Sequence, residues 1–267
     1  MAQDFAILIP ARFASTRFPG KPLAMLRGAD GAASSLIERS WRTATAVVPA
    51  ARVWVATDDS RIADAVKAFG GQVVMTPETC RNGTERCAAA LDLLGEIAPV
   101  IINLQGDAPL TPASIITGLA TAVADDPSAA MATAAVDCSP SLYAHLISDQ
   151  AAGRVGGTTV VADSRGRALY FSKRVIPHLP HDVAEAHRVV RLHLGVYAYR
   201  PAALAAYAAL EPTPLELCEG LEQLRFLESG VPIRLVPFPP LEWDCIELNN
   251  PEDVPAIEAI LSARGIR

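Results

Sequence analysis

The sequence predicts an α/β fold in which a mostly parallel sheet carries helices on both faces. Short apolar runs alternate with amphipathic stretches through residues 1–125. The runs are apolar at nearly every position, which is typical of parallel strands buried on both faces. Polar motifs directly follow three of these runs, at the strand ends where such sheets bind their ligands.

The first part of the chain contains four predicted strands and four predicted helices. The strands lie at residues 5–10, 52–56, 72–75 and 100–104, and the last is almost continuously β-branched. The helices lie at residues 35–47, 60–69, 84–94 and 111–124. Thr111 is able to cap the fourth helix, and Pro112 suits its first turn.

Residues 126–267 have a different pattern, which predicts a smaller mixed α+β region with antiparallel pairing. Predicted strands lie at residues 129–136, 158–162, 168–172, 192–200 and 233–237, with a turn at 163–166. Predicted helices lie at residues 215–228 and 251–261. We expect residues 1–267 to form one domain, since the whole length suits a single core.

Composition excludes several classes of function. The net charge of −6 argues against binding to nucleic acid. No apolar stretch is long enough to span a bilayer, and the amino-terminal residues do not resemble a secretory signal. The five cysteines form no CxxC pair, which argues against a zinc site or a disulfide framework. We therefore expect a cytoplasmic protein that does not bind membranes.

The loop ARFASTRFPGK, residues 11–21, follows the first predicted strand and has the composition of an anion-binding loop. Arg12 and Arg17 offer guanidinium groups, Lys21 a compact charge, and Ser15 and Thr16 hydroxyl groups. The chain has neither the GxxxxGK[ST] pattern of Walker-type loops nor the GxGxxG pattern, which argues against a Walker-type loop and against a dinucleotide-binding oxidoreductase. The alternative, an exposed loop with scattered basic residues, is weakened by its position after a buried strand.

Further motifs follow in a fixed order along the chain. They read IPARFASTRFPGKPL, VATDD, GTER, NLQGDAP, ALYFSKRVIP, HLGVYAYR, LEQLR and NPEDV. In this order the sequence resembles the 3-deoxy-manno-octulosonate (KDO) cytidylyltransferases, also called CMP-KDO synthetases, over nearly its whole length. The resemblance implies a Rossmann-like nucleotidyltransferase fold. It also implies Mg²⁺-dependent transfer of CMP from CTP, release of pyrophosphate, and a homodimer formed through the second half.

The resemblance also assigns roles to individual residues. Residues 1–125 would bind CTP, and residues 126–267 would bind the acceptor and the second subunit. Arg17, Lys21 and Asp107 would act in catalysis, with Asp107 as a ligand of Mg²⁺. Residues implied to bind the nucleotide are Ala11, Arg12, Ser15, Arg17, Lys21, Asn82, Gly83, Arg86 and Gln105. Residues implied to bind the acceptor are Gln105, Lys173, Arg174, His193, Tyr197, Glu222 and Gln223.

Four of these residues have a structural alternative. Asp107 lies at a predicted strand end, where Mg²⁺ would find a hard oxygen ligand, but aspartate is also common in turns. His193 lies in an apolar run, where a histidine is often structural. Glu222 and Gln223 lie between leucines on a predicted helix, and they would equally suit an exposed helix face.

The chain departs from the family pattern near the expected acceptor. Asn249 stands where the family has a second metal-binding aspartate, so Asn249, Asp244 or Glu247 would have to serve instead. Alternatively, Asn249 only accompanies a helix start at Asn250. Ala108 replaces a glutamate of the family motif, and Arg174 follows Lys173 as an additional basic residue.

These departures predict a smaller and more anionic acceptor. A neutral hydroxyl nucleophile benefits from a metal ion or a base, whereas an oxyanion does not need either and is repelled by carboxylates. The favoured acceptor is therefore a phosphonate such as phosphonoformate, in natural-product biosynthesis. The alternative is KDO itself, activated for lipopolysaccharide, and a second alternative is a non-catalytic nucleotide-binding relative.

Overall fold

The computed structural model describes residues 4–15, 17–179, 185–243 and 245–267. Within these ranges the chain forms eleven strands and nine α-helices. The strands are β1 Phe5–Ala11, β2 Met25–Arg27, β3 Ala33–Ser35, β4 Val53–Thr57, β5 Gln72–Met75, β6 Val100–Leu104, β7 Met131–Asp137, β8 Thr158–Ala162, β9 Ala168–Ser172, β10 Arg191–Tyr199 and β11 Ile233–Phe238. The helices are α1 Leu36–Thr45, α2 Ser60–Ala68, α3 Gly83–Leu94, α4 Ala113–Asp125, α5 Pro140–Ala151, α6 Pro201–Ala208, α7 Pro214–Glu219, α8 Leu224–Glu228 and α9 Val254–Ala263.

Nine of these strands form one large sheet that runs through both parts of the chain. Its main path is β11-β7-β10-β6-β1-β4-β5, with β8 and β9 extending from β10. Strand β1 is parallel to both β4 and β6, and β7 is parallel to β11. Strand β10 is antiparallel to β6, β7 and β8, so it joins the parallel sheet of the first part to the second part. The predicted α/β class is confirmed, with antiparallel strands in the second part as the sequence indicated.

The core lies on both faces of this sheet, as strand β1 shows. Successive side chains of a strand point to opposite faces. Ile7 and Ile9 accordingly pack in the apolar cluster beneath α1, α2 and α4, whereas Ala6 and Leu8 pack in the cluster beneath α3, α6 and α8. All four side chains are fully buried. Burial of each large aliphatic side chain contributes about 1.5–3 kcal/mol, which fixes β1 at the centre of the molecule.

One predicted helix and one predicted cap are wrong. Residues 215–228 do not form a continuous helix, because Gly220 adopts a left-handed conformation (φ 62°) that ends α7 before α8 begins. Thr111 does not cap α4, since its hydroxyl donates to the carbonyl of Ala108 at 3.0 Å. The predicted cap at Asn250 is confirmed, and it opens a 3₁₀ turn that precedes α9.

Two helices and a small hairpin were not predicted. Helix α5 carries clear start signals, because Ser139 accepts a hydrogen bond from the backbone of Leu142 and Pro140 occupies the first turn. Helix α6 is almost entirely alanine and leucine, so it shows no polar face by which a helix is recognised. Strands β2 and β3 are only three residues long. None of the helices in the described ranges is long and apolar enough to cross a membrane.

Candidate active site

The loop after β1 folds back on itself and presents Lys21 at the end of the sheet. Gly20 has a left-handed backbone (φ 71°), and its amide donates to the carbonyl of Phe13 at 3.0 Å. A β-carbon on Gly20 would lie 3.0 Å from the ring of Phe13, so glycine is required by both the backbone and the close approach. Lys21 then begins a 3₁₀ turn, Lys21–Leu23. Arg12 and Arg17 are exposed on the same loop, and Thr16 lies outside the described residues.

The turn after β6 brings Asp107 to this loop. Lys21 Nζ donates to Asp107 Oδ2 at 2.8 Å. Gly106 allows the approach, because a β-carbon there would lie 2.9 Å from the carbonyl oxygen of Pro10. The carboxyl ends of two neighbouring parallel strands thus place a cation and a carboxylate in contact, at the edge where ligands of such sheets bind.

A second group of polar residues surrounds the start of α3. Asn82 caps this helix by accepting a hydrogen bond from the backbone of Glu85 at 2.9 Å. Arg86 is only 2% exposed, and its guanidinium donates to Thr76 Oγ1 at 2.7 Å and to Asp58 Oδ2 at 2.6 Å. Asp58 belongs to the ATDD motif after β4, which the sequence placed at the ligand edge without assigning this role. The ion pair holds Arg86 in one orientation at the cleft wall.

Gln105 and Glu222 form the next wall of the cleft. Gln105 Nε2 donates to Glu222 Oε1 at 2.9 Å, and the backbone amide of Thr84 donates to Glu222 Oε2 at 3.0 Å. Gly83 leaves no space for a side chain, because its β-carbon would lie 2.7 Å from Gln105 Nε2. Burial raises the pKa of Glu222 to about 7, so this carboxyl group changes charge near neutral pH.

His193 and Tyr197 on β10 lie deeper in the same cleft. His193 Nε2 lies 3.0 Å from Thr133 Oγ1, and burial lowers the pKa of the imidazole to about 3. The ring is therefore neutral at physiological pH and suits hydrogen bonding rather than proton transfer. The Tyr197 hydroxyl donates to Gln223 Oε1 at 3.1 Å. Gln223 is 2% exposed, and its Nε2 has no hydrogen-bond partner among the described residues.

The two basic residues after β9 differ in direction. Lys173 lines the cleft, and its Nζ would lie 2.9 Å from a β-carbon on Gly220. The guanidinium of Arg174 donates to the carbonyl of Gln150 on α5 at 3.4 Å, and Arg174 is not among the residues that line the cleft. The geometry therefore lends no support to the predicted contact between Arg174 and the acceptor.

The carboxy-terminal segment closes the cleft beside Asp107. The backbone amide of Leu248 donates to the carbonyl of Asp107 at 2.9 Å. Asn249 Oδ1 accepts from Arg17 Nη2 at 3.0 Å, and Asn249 Nδ2 donates to Glu247 Oε2 at 3.4 Å. Burial, and then repulsion from Asp107, raises the pKa of Glu247 to about 7. Asp244, the other predicted substitute ligand, lies outside the described residues.

These groups line one cleft of about 1160 Å³. With the exception of Arg174, it brings together the predicted nucleotide-binding, acceptor-binding and metal-binding residues. They are Ala11, Arg12, Ser15, Arg17, Lys21, Asn82, Gly83, Arg86, Gln105, Asp107, Lys173, His193, Tyr197, Glu222, Gln223 and Asn249. Glu247 lines the cleft as well.

The cleft has a cationic end and a hydrogen-bonding end, which fits a polyphosphate next to a polar acceptor. Lys21, Arg12 and Arg17 supply fixed cations for phosphate oxygens. Asp107 and Glu247 offer hard carboxylate oxygens of the kind that Mg²⁺ prefers, and phosphate oxygens and water would have to supply the rest of its ligands. No group of three or more acidic, histidine or cysteine ligands occurs in the described part of the chain. A site made of one or two carboxylates plus substrate oxygens fits this donor set.

Comparisons with known proteins agree with this chemistry. The model of the cytidylyltransferase family matches residues 6–233. The chain is 48% identical over 260 residues to the 3-deoxy-manno-octulosonate cytidylyltransferase of Maricaulis maris, covering 97% of each protein. It is 39% identical to the enzyme of the same name from Porphyromonas gingivalis, covering 100% of both.

A solved structure extends the match to three dimensions. The structure of CMP:2-keto-3-deoxy-manno-octonic acid synthetase complexed with CTP superposes with a TM-score of 0.81 at 33% identity. The superposition covers 97% of this chain and 99% of that one. Family membership favours an enzyme over a non-catalytic nucleotide-binding relative. The chain belongs to the 3-deoxy-manno-octulosonate cytidylyltransferase family and is a CTP-dependent cytidylyltransferase.

Proposed function

We propose that this enzyme transfers the cytidylyl group of CTP to the sugar acid KDO and releases pyrophosphate. The proposal rests on one observation: a single cleft has a basic wall at one end and a wall of hydrogen-bonding groups at the other. The basic loop with Lys21 forms one end, and the hydrogen-bonding groups of Gln105, Glu222 and Gln223 form the other. The names of the relatives from Maricaulis maris and Porphyromonas gingivalis support this acceptor.

The cleft favours a hydroxyl-rich acceptor over the phosphonate that the sequence departures suggested. Glu222 and Glu247 keep carboxyl groups in the cleft beside Asp107, although Ala108 and Asn249 lack the charges of the family pattern. Repulsion from the carboxylates that remain in the cleft weighs more against a small dianion than against a sugar acid, which carries a single carboxylate. The carboxylates missing at positions 108 and 249 are thus offset by those of Glu222 and Glu247, which line the cleft. A sugar acid instead offers hydroxyl groups to these acceptors and amides.

The proposed reaction joins a hydroxyl oxygen of the acceptor to the α-phosphorus of CTP, and the hydroxyl proton is lost to water. The bond from this phosphorus to the bridging oxygen of the β-phosphate breaks, and pyrophosphate leaves. Arg12, Ser15 and Arg17 bind triphosphate oxygens, and Lys21 neutralises charge that develops on the leaving group. Bound Mg²⁺ would supply further neutralisation of the phosphates, with Asp107 as a ligand.

The proposal assigns selection of CTP over other nucleotides to the residues at the start of α3. Asn82, Gly83 and Arg86 line the cleft next to the phosphate loop. Arg86 is fixed by Asp58 and Thr76, so its direction does not depend on the ligand. A fixed guanidinium discriminates among bases by where it donates, which suits recognition of cytidine.

A turnover assay tests the proposal. Purified enzyme is given CTP and Mg²⁺ with either KDO or phosphonoformate, and release of pyrophosphate is followed. We expect brisk release with KDO, little with phosphonoformate, and little with UTP or ATP in place of CTP. Turnover with phosphonoformate and none with KDO would reject the proposed acceptor and leave cytidylyl transfer intact.

We also propose that two copies form a homodimer through the second half of the chain. Leu169 on β9 is 60% exposed and Val189 is 52% exposed, so both offer apolar side chains for contact. Light scattering gives the test, with a mass of twice 28.2 kDa expected. A Leu169→Glu variant that runs as a monomer would support contact through this strand.

A further inference from the structure

We infer that Glu247 supplies a second carboxylate ligand, with Asp107, to the divalent cation that binds with CTP. The inference rests on the proposed Mg²⁺-dependent transfer. It assigns the role to Glu247 rather than to Asn249, which the sequence offered first. Three features of the cleft support the assignment: the backbone contact that fixes the segment, the partners of each side chain, and the space around the Glu247 carboxylate.

The backbone of the carboxy-terminal segment is tied directly to that of Asp107. The amide of Leu248 donates to the carbonyl of Asp107 at 2.9 Å. The side chain of Leu248 is fully buried in an apolar cluster with Leu26, Leu36 and Ile257. The residues on either side of Leu248 both line the cleft. Glu247 is therefore held beside Asp107 by a backbone hydrogen bond and a core contact, independently of any ligand.

The charged partners in this region are unevenly distributed. Lys21 Nζ is bound to Asp107 Oδ2 at 2.8 Å, and Arg17 is bound to the neutral amide of Asn249 at 3.0 Å. Glu247 forms no ion pair within the described part of the chain, and its recorded side-chain hydrogen bond comes from Asn249 at 3.4 Å. A carboxylate that shares a cleft with another and lacks a cation of its own is unfavourable. A divalent cation between Glu247 and Asp107 would offset that repulsion.

The surroundings of Glu247 leave space for such a cation. Gly195 on β10 faces the carboxylate, and a β-carbon at this position would lie 3.4 Å from Glu247 Oε1 and 3.6 Å from Gln105 Cγ. A larger residue at position 195 would narrow this part of the cleft. Two protein carboxylates leave most of the octahedral shell of Mg²⁺ to water and phosphate oxygens. The phosphate-binding loop with Arg17 and Lys21 lies directly alongside.

The test measures how far Mg²⁺ tightens the binding of CTP. Without an acceptor no turnover occurs, so CTP is titrated calorimetrically into each variant in Mg²⁺ and in EDTA. Wild-type enzyme is expected to bind CTP more tightly in Mg²⁺. The quantity compared is the ratio of the CTP affinity in Mg²⁺ to the CTP affinity in EDTA. Glu247→Gln and Asp107→Asn are each expected to reduce this ratio about tenfold or more, since even residues that only hydrogen-bond to metal ligands often contribute that much. CTP affinity in EDTA is expected not to fall.

Two further variants make the outcome specific. Glu96→Gln removes an exposed carboxylate that lies outside the cleft, and it should leave the ratio unchanged. Asn249→Asp added to Glu247→Gln returns one carboxylate to the site and should restore much of the ratio. The assignment would be overturned if Mg²⁺ did not change the CTP affinity of the wild-type enzyme. It would also be overturned if Glu247→Gln kept the wild-type ratio while Asp107→Asn lowered it, or if the double variant did not recover the ratio. Because no KDO is present, a wrong acceptor would not change these results.

Discussion

The ammonium group of Lys21 donates to Asp107 Oδ2 at 2.8 Å, and this contact joins the basic loop after β1 to the acidic turn after β6. Both residues are partly buried, with side-chain exposures of 15% for Lys21 and 27% for Asp107. The pair therefore lies where phosphate oxygens and a divalent cation would meet. Because the two side chains are hydrogen-bonded, a substitution of either one also changes the surroundings of the other. Each substitution therefore needs a matched control.

Replacement of Lys21 by alanine is expected to reduce kcat/KM by about 10²-fold or more. In the proposed reaction this lysine supplies a cation where charge develops on the leaving pyrophosphate, and loss of such a group typically costs that factor. Steady-state kinetics with CTP and KDO measure the effect. Lys67→Ala is the matched control, because Lys67 is 67% exposed on α2 and lies outside the cleft. Near-normal rates for Lys21→Ala would show that the loop only positions the nucleotide.

Replacement of Gly83 by alanine should disturb the acceptor wall through Gln105. The added β-carbon would lie 2.7 Å from Gln105 Nε2, so the amide would have to leave Glu222. We expect kcat/KM for the acceptor to fall roughly tenfold, because small displacements of positioning groups are costly. The control is the same change in a Gln105→Ala background, where the clash is absent and Gly83→Ala should add little. Equal effects in both backgrounds would contradict this explanation.

Much of the fold could be predicted because the parallel strands are long, apolar and followed by polar motifs. Strand β6 was predicted at its observed bounds, and β1 ends one residue beyond its prediction. Helix α6 was missed because its alanines give no polar face, and tertiary contacts rather than periodicity make it a helix. The break at Gly220 was missed because leucines on both sides of the glycine continue a helical pattern.

The candidate site shows the same division between local and distant information. Asp107 and Lys21 could be placed together, since the carboxyl ends of parallel strands share one edge of the sheet. The direction of the Arg174 side chain could not be predicted, because adjacent residues after a strand point to different sides. It is the contact with Gln150 on α5 that turns Arg174 away from the cleft. The approach of Glu247 to Asp107 depends on a backbone hydrogen bond made by Leu248. No local pattern in the sequence predicts this long-range hydrogen bond.

The free energy of unfolding is expected to fall as pH rises from about 4.5 towards neutrality, in part because of Glu222. Burial raises the pKa of this carboxyl group from 4.5 to about 7 in the folded protein. The unfolded chain therefore ionises first, and the free energy of unfolding decreases between about pH 4.5 and 7 and then levels off. The shift corresponds to about 3–4 kcal/mol at most, since one pKa unit is about 1.4 kcal/mol.

Urea unfolding at several pH values measures this dependence. Between about pH 4.5 and 7, the free energy of unfolding should decrease less in Glu222→Gln than in wild type. Glu247, whose pKa is also raised to about 7, should account for part of the decrease that remains in this variant. Glu96→Gln serves as the control and should follow wild type. Parallel profiles for wild type and Glu222→Gln would show that Glu222 ionises in the folded protein as it does in the unfolded chain.

Replacement of Arg225 by methionine is expected to destabilise the protein by about 3–5 kcal/mol. Arg225 is fully buried and donates to Glu85 Oε1 at 2.7 Å and to Glu216 Oε1 at 2.6 Å. Methionine fills much of the volume but leaves the buried carboxylate of Glu216 without a cation, which is the costly change, whereas Glu85 keeps its ion pair with Arg81 at 2.8 Å. Arg42→Met is the control, because the exposed pair of Arg42 with Glu38 should contribute less than about 1 kcal/mol.

The same substitution should also reach the acceptor site, since Arg225 joins α3 to the two helices on either side of Glu222. The guanidinium lies 4.3 Å above the ring of Tyr207, whose hydroxyl donates to the carbonyl of Glu222 at 3.0 Å. We expect the KM for the acceptor to rise more than the KM for CTP. Adding Glu216→Gln to Arg225→Met removes the unpaired buried charge and should recover part of the lost stability. If the double variant is no more stable than Arg225→Met, the cost lies in lost packing around the guanidinium rather than in unpaired charge.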